Sequence, residues 1–518
     1  MSAPLHGGGP LRLAAALGLL LAGCSVGPRY SPPGDPAPAA FKEAGGPGAP
    51  PGSWQPAQPQ DAALKGDWWT LFGDGELDQL EGRLAIDNQN VAHSFQNFMA
   101  AREQVREAQA GNYPTLAVSP SVTRTHIGTT ALGASSSSAG GAAGGGGASG
   151  GHAVNATSYS LMFSASWEPD LWGRVADAIR QAQYAAQVSA ADLINERLSE
   201  QAALASYYFA LRGQDDLQAV ADRLVVADAK ALELTRALSE TGIDNEEAVA
   251  SALAALRSAE QAAIGIAANR ALYEHAIATL IGQPASSVSL PVRRLGTTVP
   301  AIPIGIPSQL LQRRPDIAAA ERTLAEANAA IGIQVSAYYP TLSLTGTAGL
   351  ESQALSTLFA LPALVWSLGA SASEVLFDAG LRQATVAQYQ ALYQADVAAY
   401  RQTVLTAFQQ VEDALATLRV LSQQVAKQAE AVAAAQRVVD IALARYETGL
   451  DPYLDVTTSQ IALLNDEQTL VTLRVNQLTA AVQLIQALGG GWDAGALPTP
   501  DQLTSGSAVD AVSATPGR

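Results

Sequence analysis

Residues 397–447 read VAAYRQTVLTAFQQVEDALATLRVLSQQVAKQAEAVAAAQRVVDIALARYE. Val397, Val404, Val411, Leu418, Val425, Val432, Val439 and Tyr446 recur every seven residues, and Tyr400, Ala407, Ala414, Leu421, Ala435 and Ala442 sit three further on. This is an a/d seam sustained over seven heptads. No proline occurs from Leu381 to Glu447, so the spacing predicts one helix over that span, ~100 Å long at ~1.5 Å per residue. Arg174 to Glu240 is equally free of proline, and Leu204, Leu211, Val225 and Leu232 align with Val411, Leu418, Val432 and Val439. A shorter returning helix carries Ile461, Leu464, Val471, Val475, Leu478, Val482 and Ile485 on a seam of its own. The alanines beside the seam let a second neighbour approach closely. A helix with two apolar flanks belongs in a cylinder wall rather than in a two-stranded rod.

The alignment of the two long helices is part of an internal duplication. Tyr113-Pro114-Thr115-Leu116 recurs as Tyr339-Pro340-Thr341-Leu342, 226 residues later. Ser160-Leu161 and Ala165-Ser166 recur as Ser367-Leu368 and Ala372-Ser373, and Thr241-Gly242-Ile243-Asp244 as Thr448-Gly449-Leu450-Asp451, both at an offset of 207. The first copy therefore holds 19 extra residues between Leu116 and Ser160, and the Gly/Ala/Ser/Thr run 128–151 is where they lie. A run of that composition cannot bury a core and reads as an exposed flexible loop. No Lys-Ser or Lys-Thr closes it as a phosphate loop would require. Each copy reads as a helix, two strands, a very long helix, a turn and a shorter helix.

The strands follow from period-2 alternation. Tyr159, Leu161, Phe163, Ala165 and Trp167 share one face, and Ser158, Ser160, Met162, Ser164 and Ser166 share the other. Leu342 and Leu344, then Trp366, Leu368, Ala370 and Ala372, alternate with Ser, Thr and Gly in the second copy. Ten residues give ~33 Å of strand, enough to cross a bilayer when tilted. A half-buried soluble sheet alternates too, but polar faces of Ser, Thr and Gly rather than Lys or Glu favour a water-filled lumen behind a lipid-facing wall. Two strands per copy give four per chain, which cannot close a barrel, and open edges are not tolerated in lipid. Two chains would pool eight strands around a filled interior; three would pool twelve and leave a lumen. The expected fold is thus mixed and mainly α, with coiled-coil hairpins forming a helical cylinder that continues a strand barrel shared among chains.

The chain has 518 residues, 30 Lys+Arg against 47 Asp+Glu and a formal net charge of −17, a balance that argues against nucleic-acid binding. Hydrophobic residues are 48% and charged residues 15%, so most of the chain is not a solvated disordered polymer. One cysteine excludes a disulfide framework and a multi-Cys zinc site. His93, His126, His152 and His275 are scattered and read as surface or packing residues. No metal site, cofactor site, Ser-His-Asp set or paired-carboxylate constellation can be assembled from spacing, so no catalytic residue is expected.

Residues 1–23 read as a signal peptide: Arg12, an apolar run from Leu13 to Leu21 too short to span a bilayer, then Leu21-Ala22-Gly23-Cys24. The last four residues look like a bacterial lipobox, which implies cleavage before Cys24 and acylation there. An ordinary secretory leader with an incidental cysteine is the plainer alternative. Ser25 after the cysteine resembles the pattern of lipoproteins sent to the outer membrane. Residues 24–60 are expected to be an acylated Pro/Gly-rich tether. Residues 61–283 form the first repeat, 284–307 a linker and 308–490 the second repeat; 491–518 read as a disordered tail.

Four motifs resemble those of the outer membrane factor family of tripartite efflux systems, the TolC-like proteins, in their lipoprotein (NodT-type) branch. They are Asp67-Trp68-Trp69-Thr70-Leu71-Phe72-Gly73-Asp74; Arg313-Arg314-Pro315-Asp316-Ile317 with Ala320-Glu321, Ala327-Asn328 and Ile331-Gly332; Arg445-Tyr446-Glu447-Thr448-Gly449-Leu450-Asp451; and Leu488-Gly489-Gly490-Gly491-Trp492. The first-copy turn departs from the pattern, with Ala237-Leu238-Ser239-Glu240 in place of the Arg-Tyr pair. The resemblance covers roughly residues 24–492. It implies a homotrimer in outer-membrane lipid, a 12-stranded barrel, a 12-helix periplasmic tunnel, and coupling through a periplasmic adaptor to an inner-membrane efflux pump. It also implies a passive duct with no catalysis. A structural periplasmic coiled-coil lipoprotein that tethers partners is the alternative.

The resemblance points to Asp451 and Asp244 as gate residues ringing the tunnel mouth, where acidic rings attract cations. Asp451 before Pro452 reads equally as a helix N-cap. Thr241, Gly242, Thr448, Gly449 and Leu450 are the candidates for adaptor contact at the tips. Gly242 and Gly449 read otherwise as turn residues that need a permissive backbone. Pro315 fits a first helical position, with Asp316 favouring the helix start, which gives the Arg313–Asp316 cluster a structural reading.

Overall fold

The computed structural model describes residues 26–34, 38, 40–43, 67–127, 154–241, 245–302 and 313–505. The element order is α1 (Gly75–Asp87), α2 (Gln89–Ala110), β1 (Thr115–Ile127), β2 (Val154–Trp167), α3 (Arg174–Glu240), α4 (Glu246–Leu280), α5 (Pro315–Ser336), β3 (Thr341–Ser352), β4 (Leu364–Ser373), α6 (Leu381–Glu447), α7 (Tyr453–Ala487) and α8 (Pro500–Ser505). The chain is mainly helical with a single four-stranded sheet among the described residues. The duplication is visible in the lengths: α3 and α6 each have 67 residues, α4 and α7 each 35, α2 and α5 each 22.

The chain divides into two compact units, 1–30 with 104–182 and 326–393, and 31–103 with 183–325 and 394–518. The first holds the sheet, in the order β1-β2-β3-β4 with every neighbouring pair antiparallel. The second holds most of the helices. Within it Val397, Tyr400, Val404, Ala407, Val411, Ala414, Leu418, Val439 and Ala442 of the α6 seam are buried. Leu421, Val425, Val432 and Ala435 are half-buried and Tyr446 is exposed, so the seam is tight from Val397 to Leu418 and again at Val439 and Ala442, looser between, and open at its last residue.

The returning helix α7 has two neighbours, as a wall helix must. Toward α3, Val220, Ala227 and Leu464 form one buried cluster, and a Cβ on Gly213 would lie 2.3 Å from the Val475 side chain. Toward α6, Gln428 Nε2 donates to the Asp466 carbonyl at 3.0 Å.

Two expectations need correction. The tail does not begin as a disordered segment at 491: Leu497 and Leu503 are buried, α8 follows, and Gln187 donates to the Pro498 carbonyl at 2.9 Å. Two leucines in a polar, Pro-rich stretch leave no periodic signal, yet each buries apolar area worth about 1.5–3 kcal/mol. The described parts of the tether are also seated. Phe41 is buried, and the Lys42 and Glu43 N–H groups donate to the Glu412 carboxylate at 2.7 and 2.9 Å. The leader, Cys24 and the 128–151 loop lie outside the described residues.

Candidate functional site

The sheet sorts its side chains through the middle rows, with Ala117, Met162 and Val365 the apolar residues on the polar face. Across β2, Leu161 stands opposite Pro120 and Leu350, Phe163 opposite Val118 and Ala348, and Ala165 opposite Leu116 and Gly346. Leu350, Ala348, Gly346 and Leu344 stand opposite Leu364, Trp366, Leu368 and Ala370 of β4. Directly opposed residues in an antiparallel pair share a face, so one face is apolar across all four strands. Its outer strands are open among the described residues, with Leu116 81% exposed and Leu368 80%, while Leu161 and Leu350 between them are half-buried. The other face carries Ser119, Ser121, Ser160, Ser164, Thr347 and Ser367, tied by Ser121–Ser160 and Thr347–Ser367 hydroxyl pairs at 2.8 and 2.7 Å.

The apolar band ends in register. Beyond Tyr159 the same face continues with Arg124, Thr157, His126 and Asn155, the last two joined at 2.7 Å. From Tyr159 to Trp167 is ~27 Å along the strand, ~20 Å of membrane at a tilt of ~40°. β1 and β4 are the sheet edges, and neither has a second partner among the described residues. They run antiparallel to one another, so β4 of one copy can pair with β1 of the next in the same antiparallel sense.

The first, third and fourth motifs and residues 313–321 of the second fall at three structural joints of the helical unit. Trp68, Trp69 and Phe72 of the first are buried beside Phe209, with Phe72 and Phe209 rings 5.0 Å apart. Asp74 accepts from Tyr208 Oη at 2.8 Å and from Arg293 at 2.5 Å. Fully buried Arg212 donates to Glu76 at 2.7 Å, to Asp215 at 2.9 Å and to the Pro291 carbonyl at 2.7 Å, and Arg270 holds the other Asp215 oxygen at 2.7 Å. Burial pushes the Asp74 carboxyl up, but Arg293, Tyr208 and the Glu76 N–H together outweigh it and hold Asp74 below the usual carboxylate range. This network fastens the first motif, α3, α4 and the inter-repeat linker together.

The second and fourth motifs meet each other. Arg314 donates to Asp316 at 2.9 and 2.5 Å, to the Ala487 carbonyl at 2.9 Å and to Gln410 at 2.8 Å. Gly489 has φ +91°, and a Cβ there would lie 2.0 Å from the Arg313 carbonyl oxygen. The glycines close α7 against the start of α5, and Pro315 is the first residue of that helix, as its sequence position predicts. Gly489→Val should therefore release the joint and lower thermal stability by about 2–4 kcal/mol from backbone strain and overpacking, read as a fall in melting temperature. Gly265→Val, with open space at its Cβ, should change it little.

At the second-copy tip, Gly449 (φ +73°) ends α6. Its N–H donates to the Tyr446 carbonyl and the Leu450 N–H to the Arg445 carbonyl, both at 2.9 Å, which is a Schellman closure. Thr448 Oγ1 turns back to the Ala444 and Arg445 carbonyls, leaving Leu450 exposed. The N-cap of α7 is Pro452, without a side-chain hydrogen bond, so Asp451 does not cap the helix. Its carboxylate instead grips Arg445 through Nε and through Nη2 at 2.9 Å. That bond holds Asp451 below the usual carboxylate range. At the first-copy tip Thr241 bonds the Leu238 carbonyl at 2.9 Å, and Asn245 caps α4 by accepting from the Ala248 N–H at 2.9 Å. Gly242 and Asp244 lie outside the described residues.

Sequence reasoning missed the Arg445–Asp451 pair although both residues stood in the quoted motif. A six-residue spacing across a helix end suggests no contact until the turn folds back. It also missed the Arg212 network, whose members come from four distant segments.

A family described as outer membrane efflux protein matches residues 82–283 and 306–490. The toluene efflux pump outer membrane protein TtgC of Pseudomonas putida is 30% identical over 495 residues, covering 92% of this chain and 95% of that one. The pyoverdine export outer membrane protein OpmQ of Pseudomonas aeruginosa is 31% identical over 451 residues, covering 86% and 92%. The MtrE outer membrane channel of Neisseria gonorrhoeae, solved in its open state, superposes with a TM-score of 0.76 at 26% identity, over 91% of this chain and 99% of that one. With three quarters of its length matched and the sheet sorted for a lipid wall, the chain belongs to the outer membrane efflux protein family, whose members form the outer-membrane duct of efflux systems.

Proposed function

We propose that this channel subunit works as a homotrimer, with three sheets closed edge to edge into a 12-stranded barrel and the long helices continued as a periplasmic tunnel. The observation that carries this is the sheet itself: one continuous apolar face, one face rich in Ser and Thr, and edges of opposite direction that have no second partner among the described residues. An exposed apolar sheet with open edges is unstable in water and in lipid alike until copies join. The duct is passive. A periplasmic adaptor and an inner-membrane pump supply coupling and energy, Cys24 carries the lipid, and the tips at Thr241, Gly242, Thr448, Gly449 and Leu450 meet the adaptor. Purified protein should show heat-modifiable gel mobility and discrete conductance steps in planar bilayers. Neither is expected of a periplasmic tether, and the absence of both would leave the trimeric barrel without support. Cys24→Ala should remove the lipid yet leave barrel insertion intact.

The gate reading of Asp451 becomes a reading of the Arg445–Asp451 pair, and Asp244 is its first-copy counterpart. Three carboxylates at a constriction attract cations, and Arg445 offsets each one. Asp451→Ala should raise single-channel conductance or weaken block by multivalent cations. Arg445→Ala should strengthen that block by freeing the carboxylate. Because Asp451 titrates below the usual range, acidification should act on the wild-type channel at lower pH than on Arg445→Ala. Unaltered conductance and block in both variants would remove the pair from the gate.

A further inference from the structure

Residues 26–28 are held in a slot of the sheet-bearing unit. A Cβ on Gly27 would lie 2.8 Å from the Gly332 Cα in α5 and 2.8 Å from Asp177 Oδ2 in α3. From the other side, a Cβ on Gly332 would lie 2.3 Å from the same Asp177 oxygen and 3.3 Å from the Gly27 Cα. Two glycines are thus in face-to-face backbone contact over a carboxylate, and neither position admits any other residue without displacement. Flanking bonds fix the segment in place. The Val26 N–H donates to the Trp172 carbonyl at 3.3 Å, and Asn328 Nδ2 donates to the Pro28 carbonyl at 2.8 Å. Trp172 is itself clamped, stacked on Tyr339 at 4.8 Å and donating Nε1 to the Pro340 carbonyl at 2.8 Å. Asp177 forms the floor. It is 2% exposed, Oδ1 accepts from Arg180, and Oδ2, aimed at the two glycines, has no hydrogen-bond partner among the described residues.

This slot lies among the helix–strand junctions: α5 leads through Tyr339 and Pro340 into β3, and β2 leads through Trp172 into α3. A free tether would need none of these contacts. A Pro/Gly-rich strand gains little from burial, so its seating must come from shape and backbone bonds. We propose that the slot of Gly332, Asp177, Asn328 and Trp172 is a docking site for residues 26–28, and that it fixes the lipid anchor to the junction region of the sheet instead of leaving it on a loose leash. The proposal rests on the acylation of Cys24. Three residues of extended chain reach at most ~11 Å, so acyl groups on Cys24 are confined to that radius of the slot, and the membrane insertion point is set relative to the strands.

The test uses full-length protein purified from outer membranes, and trypsin. Arg29 follows the slot directly, and cleavage after it releases Cys24–Arg29 with whatever Cys24 carries. Proteolysis requires the segment to leave its seat, so the cleavage rate reports the docked population. Wild-type protein should resist cleavage at Arg29. Gly27→Val should be cut about ten-fold faster or more, with heat-modifiable mobility unchanged. Gly34→Val, where a Cβ meets nothing within 4 Å, should be cut at the wild-type rate. If Gly27→Val fails to assemble, Asn328→Ala, which deletes the bond to Pro28, should still give several-fold faster cleavage. Equal rates in wild type, Gly27→Val and Asn328→Ala would overturn the docking. A released peptide whose mass shows an unmodified cysteine would overturn the lipid assignment separately, whatever the rates.

Discussion

Arg212→Ala should lower the stability of the helical unit by about 3–5 kcal/mol, the range for removing one partner from a buried charge cluster. That is a large share of the 5–15 kcal/mol that holds a typical domain. The arginine is 1% exposed and satisfies Glu76, Asp215 and the Pro291 carbonyl at once. Its loss leaves the buried Asp215 carboxylate with Arg270 as its one charged partner beside the Arg293 N–H, and the Pro291 carbonyl uncapped. Thermal melting of purified protein reads the effect, with Arg223→Ala as comparison. Arg223 pairs with Glu467 while 54% exposed, and exposed pairs are worth about 0–1 kcal/mol. Equal melting temperatures for the two variants would show that the network contributes no more than a surface bridge. Acid should act on the same cluster. The Asp74 carboxyl titrates below its ordinary value in the fold, so its contribution is present above that ordinary value and is lost as pH falls through the lowered one.

Phe163→Arg should abolish barrel insertion, and Ser164→Arg should not. The two are neighbours on β2 but lie on opposite faces, Phe163 in the row Val118–Phe163–Ala348–Trp366 and Ser164 opposite Thr347. An arginine near the bilayer midplane costs about 2–4 kcal/mol, and the proposed assembly repeats it three times. The heat-modifiable fraction in outer membranes should fall to a few per cent or less for Phe163→Arg. Ser164→Arg should insert and alter conductance by adding a positive ring to the lumen. Normal insertion of Phe163→Arg with failure of Ser164→Arg would reverse the assignment of the faces.

Much of the scaffold was legible because it is periodic. The proline-free spans bounded α3 and α6 at Arg174–Glu240 and Leu381–Glu447, and the heptads named the buried face of α6. Period-2 alternation placed β2 and the two faces of the sheet. The offset between copies located the insertion in the β1–β2 connection. The candidate sites were less legible. Asp451 stood out by position, but its partner Arg445 was set by the Schellman turn. The glycines of Leu488–Trp492 were visible as a motif, whereas the Arg313 carbonyl that forbids a side chain there was not.

By itself the sequence determined the long helices and their seams, the strands of clearest alternation with the apolar side of each, and that four strands cannot close. Those are properties of local spacing, and spacing is written along the chain. Only the tertiary structure decided where charges and backbone meet across more than a hundred residues: Arg212 with Glu76, Arg314 with Ala487, and Gly27 with Gly332. Such contacts depend on distances in space between segments that share no periodic signal, and they hold because an unpaired buried charge or an excluded Cβ costs more than any local preference can return.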